Sequence, residues 1–253
     1  PERNDFQNKK EYFGLVQSIK VMSDYFNITQ VRIALIALIE AKEKGIITLT
    51  QLKSMVYELE NFHFSYNAIC SKPTNKLEKI YSDFSISLRN CNDKIEARNI
   101  IKKLTNQLNE IYVSYQEFES EFINLTYTKK SNNSDNVITK YVVNKIASYY
   151  EGKEIFEDDG SIEHILPESN DIKNNNIGNL ILLEQVLNGE ADCLEYIDKI
   201  TVYKKSSYKW IKEFVSSNTE WSDDKIQERS KKLSEFYYTK ILAKKISLNA
   251  LKR

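Results

Sequence analysis

Residues 161–188, SIEHILPESNDIKNNNIGNLILLEQVLN, set a Glu-His pair inside a short apolar run and two asparagines behind it. Asn179 follows His164 by 15 residues, and Asn188 follows Asn179 by nine. The chain has only two histidines, so an imidazole at this point carries information. Hydrolysing a phosphodiester needs a group that takes a proton from water and a cation that stabilises charge on the phosphate oxygens. A neutral imidazole suits the first task, because its ordinary pKa lies near neutrality. Oxygen donors such as those of Glu163 and Asn188 suit a hard divalent cation that keeps several of its waters.

Such side chains meet only if the backbone brings them together. SIEHIL (161–166) is short and β-branched and ends at Pro167; IGNLILL (177–183) is a second short apolar run after the polar PESNDIKNNN. Helical periodicity resumes at Glu184, with Asn188 one turn in. Strand, loop, strand, helix is therefore the expected local order, and it can converge a residue from each element on one point. A histidine beside an apolar strand is often a satisfied core residue; the weight of His164 as a catalytic residue comes from the motif resemblance given below. Asn174, Asn175 and Asn176 read as a polar turn, and His63 in NFHFSY as packing between aromatics.

The rest of the chain reads as amphipathic helices at 11–26, 31–44 (ended by Gly45), 48–64 with a Thr48 cap, 77–90, 94–108, 110–124 and 136–151. SNNSDN (131–136) is an expected polar loop, and EDDGS (157–161) the clearest break. Helices return over 209–218 and 223–246. Six glycines and three prolines are too few for a turn-rich all-β fold, so the expected class is mainly α. No apolar run approaches the ~20 residues of a membrane span. Cys70, Cys91 and Cys193 are odd in number and carry no C-x-x-C pair, which argues against a disulfide framework or zinc site and for reduced thiols.

Net charge is zero, but its distribution is uneven: −11 over 151–198, +8 over 199–253 and +3 over the first 150 residues. An acidic block beside a basic tail fits a cation site next to an anion-binding surface, or two solvated faces.

The run EHILP, then GNLILL, then LN resembles the HNH (ββα-metal, His-Me finger) endonuclease motif. More narrowly it resembles the C-terminal region of GmrSD-type (type IV, modification-dependent) restriction endonucleases. K-x-x-x-Y-x-x-S (Lys199, Tyr203, Ser206) and I-x-x-R-x-x-x-L (Arg229, Leu233) match the tail of that family, and LENFHFSYNAI (59–69) resembles its upstream helical segment. The resemblance implies a helical region, 1–156, linking to an absent N-terminal nucleotide-dependent domain, followed by an HNH-like nuclease domain, 157–253, with its ββα motif embedded in helices. The first residue is Pro1 rather than Met, which fits a fragment of something longer.

By position, the resemblance makes His164 the general base and Asn188 a ligand of one Mg²⁺ or Mn²⁺. Glu163 becomes its acidic partner, either touching the ion or just outside it; many HNH nucleases have Asp there. Asn179 joins the catalytic set by orienting His164 or bracing the loop. Lys199, Lys205, Ser206 and Arg229 become contacts to DNA phosphates. The implied function is a metal-dependent endonuclease or nickase acting on foreign or modified double-stranded DNA in a bacterial anti-phage system, cytoplasmic and without a membrane anchor. The competing expectations are a non-catalytic nucleic-acid-binding module that keeps the ββα shape, and a purely regulatory helical protein.

Overall fold

The computed structural model describes residues 10–129, 134–152, 160–168 and 172–246. The fold is mainly α, about 70% helical with one two-stranded sheet. It divides into two compact units, residues 1–113 and 114–253. The boundary expected at 156/157 and most of the acidic turn at 157–161 lie outside the described residues, as do residues 131–133 of the expected polar loop. The compact division instead falls after Val113, because the helices at 115–122 and 134–151 pack within the second unit.

The first unit holds α1 (Phe13–Lys20), α2 (Arg32–Glu43), α3 (Leu49–His63), α4 (Asn75–Asn90) and α5 (Lys94–Glu110). In α2 the buried Ala34, Leu35, Ala37, Leu38 and Ala41 recur at helical spacing, and Gly45 ends it with a φ of 70° that favours glycine. Thr48 caps α3 as expected: its hydroxyl accepts from Gln51 N while the Gln51 side chain accepts from Thr48 N. Helix α2 packs on α4, α1 on α3, and α4 on α5. His63 sits fully inside, its Nδ1 2.6 Å from Asn67 Oδ1 and its Nε2 2.8 Å from Tyr81 OH.

The second unit builds on α6 (Tyr115–Phe122), α7 (Ser134–Glu151), β1 (Ser161–His164), β2 (Leu180–Leu183), α8 (Gln185–Ala191), α9 (Tyr196–Tyr203), α10 (Lys209–Ser217) and α11 (Asp223–Phe236). The helix expected at 110–124 runs only from Tyr115 to Phe122, because α5 extends to Glu110 and Ser114 and Glu117 form a capping box that starts α6 after it. Strands β1 and β2 are antiparallel, with Glu163 opposite Ile181 and His164 opposite Leu180. Every residue of LILL is buried. Alternation therefore lays Ile181 and Leu183 into a core with Ile165, Tyr196, Val202, Tyr203, Ile211 and Phe214, while Leu180 and Leu182 face the other way. The second strand starts later than expected, because residues 177–179 form a 3₁₀ turn capped by the Asn176 side chain on Gly178 N. At Gly178 a Cβ would lie 2.0 Å from Ile226 O, so only glycine lets α11 come this close.

Candidate active site

The sequence-predicted residues occupy the hairpin and the helix that follows it. The bond from Ile165 N to Asn179 O shows that odd-numbered residues of β1 pair with β2, so Ile162 and His164 turn their backbone groups to the free edge. Helix α8 lies against β1 along this hairpin. There Asn188 Nδ2 donates to Ile162 O at 2.9 Å and to Ser161 Oγ at 2.8 Å. A carbonyl can only accept, which fixes the amide and leaves Asn188 Oδ1 with no hydrogen bond among the described residues.

Glu163 points into the core shared with α9. Lys199 Nζ donates to Glu163 Oε1 at 2.6 Å and to His164 O at 2.6 Å, and Tyr203 OH donates to the same Oε1 at 2.9 Å. The Lys199 and Glu163 side chains are 0% and 1% exposed. Burial pushes the Glu163 carboxyl above the usual carboxylate range, against the pull of the Lys199 ammonium and the two hydrogen bonds.

His164 faces the opposite side of the strand. Its Nε2 lies 3.0 Å from Tyr127 O, and its Nδ1 is buried with no hydrogen-bond partner among the described residues. The carbonyl again dictates the chemistry: Nε2 must carry the proton, so Nδ1 keeps its lone pair. Burial holds the imidazole pKa below its ordinary value, so the ring is neutral at pH 7. Tyr127 belongs to a segment laid across the 173–177 loop, where Tyr127 N donates to Asn175 O and Ile177 N to Leu125 O, each at 2.8 Å. Glu168 fastens that segment, accepting from Thr128 Oγ1 at 2.6 Å and from Lys129 N at 3.3 Å.

Asn179 touches neither Glu163 nor Asn188. Its Oδ1 accepts from Leu166 N and Trp221 Nε1, and its Nδ2 donates to Leu166 O and Asn174 O. It braces the loop between the strands, one of the two roles expected of it.

Of the four expected phosphate contacts, only Lys205 is exposed, paired with Glu190 at 2.7 Å. Lys199 is interior. Ser206 donates to Glu184 Oε2 at 2.8 Å and is buried. Arg229 Nη1 donates to Gly178 O and Leu180 O, with its guanidinium over the rings of Trp210, Phe214 and Trp221. Burial lowers its pKa to about 10. These three side chains hold protein groups rather than facing solvent.

Residues 112–236 match the family model described as GmrSD restriction endonucleases, C-terminal domain. This segment belongs to that family. A comparison with curated proteins gave no match. The GmrSD C-terminal segment contains the whole hairpin, α8, α9 and Arg229, so every candidate site residue lies inside it.

Two contributors escaped the sequence reading. The Tyr127 carbonyl is a backbone group, and no residue type advertises it. Tyr203 stood in the K-x-x-x-Y-x-x-S pattern, and its spacing of four from Lys199 puts both on one helix face.

Which residues would hold a divalent cation follows from the unpartnered atoms. Among the described residues no three His, Cys, Asp or Glu side chains group to hold an ion. Two oxygens at the site carry no hydrogen bond among the described residues, Glu163 Oε2 and Asn188 Oδ1, and oxygen donors suit a hard cation retaining most of its water; no hydrogen bond among the described residues joins these side chains to each other or to His164. No helix among the described residues is long and apolar enough to cross a membrane.

Proposed function

We propose that the GmrSD C-terminal unit is a metal-dependent DNA endonuclease in which His164 is the general base. The observation that carries this reading is the fixed tautomer of His164: Nε2–H bound to Tyr127 O, Nδ1 unpartnered, ring neutral. That is the state a base must hold before it takes a proton from the attacking water. Glu163 and Asn188 would hold the cation, either Mg²⁺ or Mn²⁺, which when bound supplies positive charge to the scissile phosphate. Double-stranded DNA is the substrate, and Lys205, the exposed one of the four expected phosphate contacts, would meet its backbone.

A second reading, a ββα module that binds nucleic acid without cutting it, has one observation in its favour. His164 is 2% exposed. The segment that fixes its tautomer also covers it, so catalysis requires Tyr127–Lys129 and the Glu168 latch to move aside and admit water and phosphate.

One experiment separates the two. Supercoiled plasmid is incubated with the chain and Mn²⁺ or Mg²⁺, and relaxation is compared between wild type and His164→Ala. The endonuclease reading expects nicking that falls roughly 10²–10⁴-fold in the variant, the usual worth of a positioned base. Binding without nicking by wild type, or equal nicking by the variant, supports the second reading instead.

A further inference from the structure

Lys199 and Tyr203 lie one turn apart on α9 and bring their donors to the same oxygen of Glu163, while Lys199 also holds the carbonyl of His164. A buried ion pair is a poor way to stabilise a fold, since well-packed apolar residues of the same volume often do as well or better. The arrangement makes better sense as preparation of a ligand. With both donors on Oε1, only Oε2 is left without a hydrogen bond among the described residues. The bond to His164 O ties the next residue's backbone into the same array.

We infer that Lys199 and Tyr203 are positioning residues of the site, which hold Oε1 of Glu163 and turn the carboxylate so that Oε2 alone faces an incoming divalent cation. Lys199 thus acts behind the site rather than on a DNA phosphate. The inference rests on the reading of Glu163 as a cation ligand given above.

The test titrates Mn²⁺ into the full chain without DNA, by calorimetry, alongside thermal unfolding without metal; Asn188→Ala identifies binding at this site. Tyr203→Phe keeps the buried ring and removes one hydrogen bond. It should unfold within a few degrees of wild type yet bind Mn²⁺ ~10–100-fold more weakly, the range seen when groups supporting metal ligands are removed. Lys199→Met strands the Glu163 charge and should lower the melting temperature sharply, whereas K199M/E163Q should recover it without recovering Mn²⁺ binding. Wild-type affinity in Tyr203→Phe overturns the inference alone. Wild-type affinity in K199M/E163Q, or no Mn²⁺ bound by the wild-type chain, overturns the ligand role of Glu163 and the inference with it.

Discussion

Replacing Asn179 by alanine separates bracing from chemistry. The side chain is fully buried and makes four hydrogen bonds: from Leu166 N at 2.9 Å and Trp221 Nε1 at 3.0 Å, and to Leu166 O at 2.9 Å and Asn174 O at 2.7 Å. At ~1 kcal/mol net per bond, their loss costs about 4 kcal/mol, and partners left dry and unpaired raise that figure. A typical domain has ~5–15 kcal/mol in all, so Asn179→Ala should lower the melting temperature by roughly 10 °C or more. Asn179→Asp keeps both acceptances but sets an oxygen against two carbonyls, so it should also destabilise. Tryptophan fluorescence suits the measurement, because the chain's two tryptophans, Trp210 and Trp221, both lie in the second unit. If Asn179→Ala melts within two or three degrees of wild type, the bracing account is wrong. If it does so while plasmid relaxation disappears, Asn179 acts on the reaction itself.

Two further outcomes follow from specific contacts. Gly178→Ala drives a Cβ to 2.0 Å from Ile226 O, a backbone atom, and should cost about 1–3 kcal/mol or more by thermal unfolding. Gly189→Ala in α8 meets nothing within 4 Å and should be neutral or stabilising by up to ~1 kcal/mol, so equal losses in the two variants would refute the close-approach argument. In the first unit, burial lowers the His63 pKa to about 4, against the raising effect of its bond to Asn67. The unfolded chain then binds the proton first, so stability falls as pH drops below about 6.5 and levels off near 4, a loss of about 3 kcal/mol. Urea midpoints measured from pH 7 to 4.5 should show this loss in wild type but not in His63→Gln; identical profiles would exclude His63 as its source.

The mainly α fold was legible because apolar residues repeat at helical spacing and because Thr48 announces its helix. The order strand, loop, strand, helix was legible from β-branched runs bounded by Pro167 and the polar loop. The break between α5 and α6 was expected at 109 and falls at 111–114, since amphipathic spacing runs on through these residues and does not mark which Ser starts the next helix. The division after Val113 was hidden for another reason. It depends on α6 and α7 packing within the second unit, which is long-range information that periodicity does not carry. At the site, residue types pointed to Glu163, His164 and Asn188. They could not show that successive strand residues turn His164 toward Tyr127 and Glu163 toward Lys199.

The displaced phosphate contacts have a common physical origin. A two-stranded sheet has no inner strand, so each strand leaves a row of outward carbonyls, and in a buried hairpin water does not satisfy them. Asn188 takes Ile162 O, Lys199 takes His164 O, and Arg229 takes Gly178 O and Leu180 O. Both edges are thus closed by side chains rather than by further strands, and donors at those positions are required before any chemistry is considered. Lysine and arginine read from the sequence as anion-binding residues because their charge is visible and their neighbours are not. Their burial follows from the hairpin: an interior carbonyl row needs donors long enough to reach it from helices packed above, and only a few side chains have both the length and the hydrogens. The same constraint fixes Asn188, since the amide nitrogen closes the edge and the amide oxygen is left without a hydrogen bond among the described residues.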